Sequence, residues 1–343
     1  MPYFRTAQRT PTNFYQWLIE ELDQLLRDAK LDADARRQTA LLIGSSSFDV
    51  HVSEQQYRTE IANLGSEQAV AMPIVGYGKL AERCGDELGL SPHRHTYSTA
   101  CTSSANAMIY GKQLIEQSLV KHVLVLGLEP ENNTSALGFY GLGLISPSEQ
   151  MHPFDNDRDG LVLGEGLGAV LLSDKSQTPE HEQRFRLMGG AIGTDNHSLT
   201  AAHVDGAEIA RVIEQALAQA NIKAQDIAAI KVHGTASLKN DEAEAAALHR
   251  VFGPALPTAF AFKPYIGHTL GACGALEVAL TLGCLQVGKL PCTPNAKGDG
   301  DLGITITNKP LPSPTGYYLF NCFAFGGNNN ALLVHDQGAE ARH

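Results

Sequence analysis

The chain has 343 residues, of which 43% are hydrophobic and 18% charged, the composition of an ordinary globular protein large enough to bury a sizeable core. Its net charge of −11 argues against nucleic acid as the main partner, because phosphate binding needs a concentrated basic surface. Its six cysteines form no CxxC pair, which argues against a zinc site or a disulfide scaffold and favours a reduced compartment.

Helices and strands alternate along the first half of the chain. In chain order, hydrophobic spacing predicts a helix over 13–30, a strand within 40–47, a helix over 65–83, a strand ending near 99, a helix over 103–117, a strand over 122–129, a helix within 131–146 and a strand over 168–174. A polar, Gly-rich stretch, HPFDNDRDGLVLGEG (152–166), is predicted to be a loop.

The second half repeats this rhythm. It is predicted to contain strands over 185–195, 226–234, 317–325 and 331–336, with helices over 206–220, 240–252 and 275–286. Such alternation indicates βαβ units and largely parallel sheets covered on both faces. A small-residue turn before a helix occurs in both halves, which suggests a duplicated α/β unit with halves at 1–180 and 181–343.

Cys101 lies where a predicted strand leads into a predicted helix, within HTYSTACTSSANAM (95–108). The partial positive charge of a helix N-terminus favours thiolate over thiol, and the thiolate is the nucleophile. A lone cysteine is more often a small buried apolar residue, so Cys101 needs support from other residues to be read as a nucleophile.

Three further stretches place candidate residues at the same edge of the predicted sheets. His233 follows a buried strand in HGTASLKNDEAEA (233–245), where ligands bind in open α/β sheets. Lys263 and His268 lie in KPYIGHTLGACGALE (263–277), at a Gly-rich helix entry, and FAFGGNNNALLV (323–334) ends a strand in an aromatic residue and two glycines. Each signal is weak by itself, but one thiol and two imidazoles at such loops together indicate an active site.

These stretches together resemble the signature set of the β-ketoacyl-ACP synthases, and the PFDNDRDGLVLGEG segment resembles that family's conserved loop. The matches follow the family order over residues 40–336. Because that family has the thiolase fold, the resemblance implies an α/β protein with duplicated halves in a layered αβαβα arrangement.

The resemblance also implies roles for individual residues. Cys101 would carry the acyl chain as a thioester, while His233 and His268 would stabilise the enolate formed when malonyl-ACP loses CO2. The backbone N–H groups of Cys101 and Phe325 would form the oxyanion hole, with Phe325, Gly326 and Gly327 in the gate of the acyl pocket. Lys263 and Glu244 would form a supporting charge network, although for Glu244 a surface salt bridge stays an alternative.

The chain departs from the family pattern at its N-terminus and in two loops. Members ordinarily begin with an apolar strand and a Gly-rich turn that residues 1–12 lack, so we expect an N-terminally truncated first half. The resemblance implies that this strand is central in its sheet, so its neighbours would lack hydrogen-bond partners unless MPYFR or a segment of a partner takes its place. Ala324 replaces a usual glycine of the gate loop, and Ala236-Ser237 alters the HGT-G-T pattern.

Two functional hypotheses follow. The chain is an active synthase that performs decarboxylative Claisen condensation in fatty acid or polyketide elongation, or it is a chain-length-factor-like partner in a ketosynthase heterodimer of a type II polyketide or aryl-polyene system. Retention of Cys101 and both histidines favours activity, and the truncation favours the partner role. A thiolase, with Cys322 as the second cysteine, and a non-enzymatic scaffold are weaker alternatives.

The same resemblance implies the partners. We expect acyl carrier protein to deliver acyl groups on its phosphopantetheine arm, a ketosynthase subunit as homo- or heterodimer partner, and no metal or organic cofactor. The start of the chain has no apolar leader, and no run of residues is apolar enough to cross a bilayer. We therefore expect a soluble, cytoplasmic protein with no membrane span and no nucleic-acid partner.

Overall fold

The structure is a computed structural model that describes residues 2–5, 14–63, 76–179, 183–294, 296–297 and 300–338. Its helices are α1 (Phe14–Asp28), α2 (Ala33–Arg37), α3 (Phe48–Ala62), α4 (Tyr77–Glu87), α5 (Ser103–Glu116), α6 (Asn133–Gly141), α7 (Ala207–Ala220), α8 (Leu238–Phe252), α9 (Lys263–Ile266) and α10 (Cys273–Gln286). Its strands are β1 (Tyr3–Phe4), β2 (Thr39–Gly44), β3 (Arg94–Tyr97), β4 (His122–Glu129), β5 (Leu163–Gly164), β6 (Gly166–Ser173), β7 (Phe185–Thr194), β8 (Ile227–Lys231), β9 (Thr258–Phe260), β10 (Lys289–Leu290), β11 (Leu311–Pro312), β12 (Gly316–Phe323) and β13 (Asn328–Asp336).

Two mixed sheets carry the fold, with strand orders β3-β2-β4-β6 and β9-β8-β12-β13-β7. In the first, β2 runs parallel to β3 and β4, and β4 runs antiparallel to β6. In the second, β8 runs parallel to β9 and β12, whereas β13 runs antiparallel to both β12 and β7. The expectation of largely parallel sheets is therefore wrong, because a connection as short as residues 324–327 can join β12 to β13 only as an antiparallel pair.

Three hydrophobic clusters order these elements into five layers. The first cluster lies between the sheets and contains α5 and α10, with Ala105, Met108 and Val278 fully or almost fully buried. The second packs α7 and α8 on the outer face of the second sheet, and the third packs α1 and α4 on the outer face of the first sheet. This αβαβα arrangement is the layered α/β fold expected from the sequence.

The two halves share a device where each inner helix begins. A three-residue 3-10 turn, Ala100–Thr102, leads into α5, and another, Leu270–Ala272, leads into α10. Both turns begin with a residue of positive φ, 50° at Ala100 and 43° at Leu270, and both helices have 14 residues. The helices approach so closely that a Cβ on Gly274 would lie 2.6 Å from the Ala105 nitrogen. The duplication that the sequence suggested is therefore visible in the backbone.

The N-terminal region differs from the expectation in one respect. In the second half the first strand, β7, lies at the edge of its sheet beside β13, so the equivalent position in the first half is the outer edge of β6. Among the described residues no strand occupies that edge, while β2 has partners on both sides. The prediction of a central gap is therefore wrong. Tyr3 and Phe4 instead pair in parallel with Leu163 and Gly164.

The helix predicted over 65–83 falls partly on residues 64–75, which lie outside the described residues, and α4 begins only at Tyr77. Residues Phe48–Ala62 form α3, a helix that the hydrophobic spacing does not predict. In the part of the chain that the structure describes, no helix combines the length and apolar character needed to span a membrane.

Candidate active site

Cys101 is the middle residue of the 3-10 turn between β3 and α5, and it is 5% exposed. The turn places its thiol against the second half of the chain, where Sγ lies 3.0 Å from Nε2 of His268. These two residues are 167 positions apart in the sequence. The sheets and inner helices therefore bring the candidate nucleophile and one candidate imidazole into contact.

The second imidazole belongs to His233, two residues beyond the end of β8. Its ring centroid lies 5.3 Å from that of His268, with the rings at 85°. Both side chains are buried, and burial, reinforced by the nearby Lys263 ammonium, holds the pKa of each histidine well below 6.5. Both imidazoles are therefore neutral at neutral pH. Each can donate one hydrogen bond from a ring N–H without carrying a positive charge.

The contacts of the ring nitrogens assign the proton position in one of the two imidazoles. Nζ of Lys263 lies 3.5 Å from Nδ1 of His233, at the long limit of a hydrogen bond. A lysine ammonium is only a donor, so Nδ1 accepts and the ring proton is assigned to Nε2. For His268, Nδ1 is buried without a hydrogen-bond partner among the described residues, so no contact fixes its tautomer.

The resting state of Cys101 differs from the sequence-based expectation. Burial raises the pKa of the Cys101 thiol to about 12, and the Lys263 ammonium offsets only part of this increase. The helix N-terminus therefore does not hold a thiolate in the resting site, because the sulfur has almost no access to water. Cys101 and His268 form a neutral thiol–imidazole pair, from which a thiolate arises by proton transfer over 3.0 Å.

Lys263 is paired, but its partner is Glu277 rather than Glu244. Nζ of Lys263 lies 2.9 Å from Oε1 of Glu277, and both side chains are fully buried. The other carboxylate oxygen of Glu277 lies 2.6 Å from Nζ of Lys231, a second buried lysine. The sequence patterns predict a role for neither Glu277 nor Lys231. A lysine within the apolar strand sequence DIAAIKVHG was the signal that could have found it.

Glu244 supports the site through the backbone. Its carboxylate accepts hydrogen bonds from the backbone N–H groups of His233 (2.8 Å) and Gly234 (2.9 Å) and from the side chain of Asn321 (3.0 Å). The residue is fully buried, so the surface-salt-bridge alternative is wrong, and among the described residues it makes no ion pair with Lys263. Glu244 therefore fixes the loop that carries His233.

The Phe325 loop closes the opposite side of the site. The Phe325 ring stacks on Phe139 at 5.4 Å and 13°, and Gly326 and Gly327 have φ values of 76° and 73°. A side chain on Gly327 would collide with the Asp195 carbonyl, so glycine is required there. Ala324 has φ −135°, an ordinary extended value, so the replaced glycine causes no backbone strain in this conformation.

A cavity of about 380 Å³ joins these residues. Its wall contains Cys101, His233, His268, Phe139 and Phe325, together with apolar residues such as Leu161. The structure thus brings the predicted nucleophile, both predicted histidines and the predicted gate residue to one cavity, while Lys263 and Glu244 lie behind it. Within the described residues, no group of histidine, cysteine and carboxylate side chains is arranged to hold a metal ion. Cys322, the second cysteine of the thiolase alternative, does not line this cavity.

Comparison with known proteins identifies two matching family models. Residues 3–178 match "Beta-ketoacyl synthase, N-terminal domain" and residues 185–297 match "Beta-ketoacyl synthase, C-terminal domain". A curated relative, 3-oxoacyl-[acyl-carrier-protein] synthase 2 of Mycobacterium leprae, is 30% identical over 246 residues, which cover 68% of this chain and 58% of that protein. The chain thus spans less than two thirds of the length of this relative.

Solved structures agree with this result. A chain of the complex between a ketosynthase and its chain length factor from Xenorhabdus doucetiae matches with a TM-score of 0.82 and 25% identity over 97% of this chain and 86% of that chain. The ishigamide ketosynthase/chain length factor matches with a TM-score of 0.79 and 28% identity over 91% and 79% of the two chains.

Proposed function

Since the chain belongs to the β-ketoacyl synthase family and has its thiolase fold, we propose that it catalyses decarboxylative Claisen condensation between an acyl group on Cys101 and malonyl-ACP. The observation that carries this proposal is the cavity in which the Cys101 sulfur lies 3.0 Å from His268, beside the second neutral imidazole of His233. Fatty acid or polyketide chain elongation is the corresponding process. The apolar wall of the cavity suits an acyl chain.

The first half-reaction transfers the acyl group to the enzyme. Sγ of Cys101 attacks the thioester carbonyl carbon of acyl-ACP as its proton moves to Nε2 of His268. The bond from that carbon to the phosphopantetheine sulfur then breaks, and the departing thiolate takes up the proton. The N–H groups of Cys101 and Phe325 would stabilise the tetrahedral oxyanion.

The second half-reaction forms the new carbon–carbon bond. His233 would donate from Nε2 to the thioester carbonyl oxygen of malonyl-ACP. His268 would donate to the same oxygen in the tautomer that has its proton on Nε2, which it must adopt after acylation, and the two donors stabilise the enolate formed as CO2 leaves. The enolate carbon then attacks the Cys101 thioester, and the bond between sulfur and the acyl carbon breaks to release β-ketoacyl-ACP. Cys101 leaves as a thiolate and takes up a proton from solvent, which restores the thiol. These steps require no metal or organic cofactor.

Acyl carrier protein and a second ketosynthase-type subunit are the proposed partners. Leu137, Tyr140 and Leu142, on and directly after α6, are each more than half exposed, and Leu142 also borders the cavity. An exposed apolar group of this kind supports a protein contact at the cavity entrance, in a homodimer or a heterodimer. The six cysteines are free thiols, which supports the cytoplasm as the compartment.

A chain-length-factor-like subunit with little activity of its own is the second candidate. It is favoured by the similarity to ketosynthase–chain length factor structures. Intact mass spectrometry of the purified chain with acyl-ACP separates the two. We expect one acyl group per chain in the wild type and none in Cys101→Ala. An unlabelled wild type that acquires activity only with a second ketosynthase would support the partner role and contradict the main proposal.

A further inference from the structure

Lys231 has a polar environment that the condensation steps do not use. It is the last residue of β8, two positions before His233, and is 1% exposed. Its Nζ donates to Oε2 of Glu277 and to the backbone carbonyl of Asn321, each at 2.6 Å. An ammonium is costly to bury without such partners, so its position is determined by these two contacts.

Glu277 connects Lys231 to the histidines. Its Oε2 is bound by Lys231, and its Oε1 is bound by Lys263 at 2.9 Å. Lys263 in turn lies 3.5 Å from Nδ1 of His233. Because Lys231 binds Oε2, only Oε1 of the Glu277 carboxylate is left for Lys263. The Lys263 ammonium therefore stays close to the imidazole of His233. Without Lys231, Glu277 could offer both oxygens to Lys263 and draw it away from His233.

The same contacts leave an excess of positive charge behind the imidazoles. Two buried ammoniums share one carboxylate, so Lys231, Lys263 and Glu277 together have a net charge of +1. Sγ of Cys322 lies 3.8 Å from Nζ of Lys231, and the hydrogen bond with Cys273 and the Lys231 ammonium lower the pKa of the Cys322 thiol to about 7, so this charge is offset where Cys322 ionises. An imidazolium beside this group would meet two like charges in a region of low dielectric constant. An enolate or oxyanion would instead be attracted to it.

We propose that Lys231 is a positioning residue of the condensing site, which binds Glu277 so that Lys263 is aimed at Nδ1 of His233 and which supplies the second ammonium that keeps both imidazoles neutral. This inference rests on the proposed function for its catalytic meaning, but the arrangement of protons that it describes can be measured without turnover.

Other ionisable groups around the histidines are consistent with this role. His233 faces Lys263 from α9 and His268, and its backbone is bound by Glu244 from α8. His268 faces the Cys101 thiol, and Asp159 lies on the wall of the same cavity. Burial is the largest cause of the low histidine pKa values, followed by Lys263, and Lys231 lowers both of them further.

The test uses the full chain with Lys231→Met, which removes both the charge and the hydrogen bonds, and Lys231→Gln, which can still donate hydrogen bonds. NMR of ¹⁵N-labelled histidine reports the tautomer and the protonation of His233 between pH 5.5 and 8. We expect the wild-type ring to be neutral with its proton on Nε2. In Lys231→Met we expect mixed tautomers or a midpoint about one pH unit higher, a tenfold change in proton affinity.

The matched control is Arg184→Met, which breaks a buried contact far from the histidines in sequence and position. Arg184 binds Asp336, which is 1% exposed, at 2.8 Å. This variant tests the effect of a lost charge pair on stability and should leave the His233 signals unchanged. A folded Lys231→Met and Lys231→Gln that both keep the wild-type tautomer and protonation of His233 would overturn the proposal.

An activity arm separates this proposal from the proposed function. We expect malonyl-ACP decarboxylation by Lys231→Met to fall about tenfold, with the acid limb of its pH profile about one unit higher, while Cys101 acylation changes by less than about threefold. A wild type that neither acylates nor decarboxylates contradicts the proposed function alone, since the NMR signals still decide the role of Lys231. Equal losses in both half-reactions, with an unshifted pH profile, would mean that Lys231 is only structural.

Discussion

The two sheets of the molecule repeat the same strand order, but only the second is complete among the described residues. β13 is bonded on both sides, by β12 and β7, and Leu332 and Leu333 are fully buried. Its counterpart β6 is bonded only by β4, and most of its side chains, such as Val170 and Leu171, are partly exposed. β6 and β13 therefore differ in whether a further strand lies beside them, whereas the strands at the centre of the two sheets have the same arrangement.

The two halves also place different functional side chains around the same backbone feature, a 3-10 turn that leads into an inner helix. The first 3-10 turn presents the Cys101 thiol, whereas the second begins two residues after His268 and leads into the helix that carries Glu277. Glu129 connects the two halves of the chain, because its carboxylate accepts hydrogen bonds from the backbone N–H groups of Ser46 (2.7 Å) in the first half and Gly271 (2.9 Å) in the second. The duplication therefore provides a frame, and side chains that differ between the halves provide the site.

The largest difference in stability is expected between substitution of an acidic residue in α10 and substitution of one in α5. Glu277→Gln leaves two buried lysines without a carboxylate, so we expect the free energy of unfolding to fall by about 3–5 kcal/mol. Glu116→Gln removes the exposed partner of Lys112 and should cost no more than about 0.5 kcal/mol. Urea unfolding followed by circular dichroism measures both, and equal losses would contradict the charge network.

The second prediction separates the two halves by their reactions. His233→Ala removes an imidazole donor of the second half, so malonyl-ACP decarboxylation should fall by about 10²–10³-fold. In the proposed mechanism, acylation of Cys101 depends on Cys101 itself and on His268, so it should change by less than about tenfold. Release of CO2 and intact mass measure the two reactions. Parallel losses in both would show that His233 acts on the fold instead.

The third prediction compares β13, which has a strand on both sides, with β6, which among the described residues is bonded by β4 alone. Leu333→Ala in β13 truncates a fully buried side chain and should destabilise the protein by about 2–5 kcal/mol. Leu171→Ala in β6 truncates a partly exposed side chain, so less apolar surface is lost, and we expect roughly half that cost. Thermal and urea unfolding provide the values. If Leu171→Ala costs as much as Leu333→Ala, the outer edge of β6 is covered in solution.

The smallest prediction concerns pH. Burial and Lys263 hold the pKa of His268 well below 6.5 in the folded protein, so below pH 6.5 the unfolded chain binds the proton more tightly and stability falls as pH falls. Between pH 7.5 and 5.5 this residue should contribute about 1.4 kcal/mol of that loss.

The comparison of wild type with His268→Gln isolates this contribution from that of Asp241, whose pKa burial raises to about 7 and which acts in the opposite sense. The variant should lose about 1.4 kcal/mol less than the wild type over the same interval. An identical pH dependence in the two proteins would mean that His268 has the same pKa in the folded and unfolded states.

The positions of Cys101 and His233 next to the ends of strands could be predicted from local sequence. The strand before His233 and the small-residue turn around Cys101 are patterns within about ten residues, a length over which period and turn chemistry are informative. The family resemblance then related stretches that local patterns could not connect.

The sequence by itself therefore determined the alternation of elements, the duplicated halves and the residues at the strand ends. Only the tertiary structure decided which groups pair and which are charged. Lys263 binds Glu277 rather than Glu244, Glu244 binds backbone N–H groups, and Cys101 rests as a thiol. These outcomes depend on burial and on contacts between distant residues, and neither the solvent exclusion that raises the pKa of a thiol nor the choice between two carboxylates is encoded in the spacing of nearby residues.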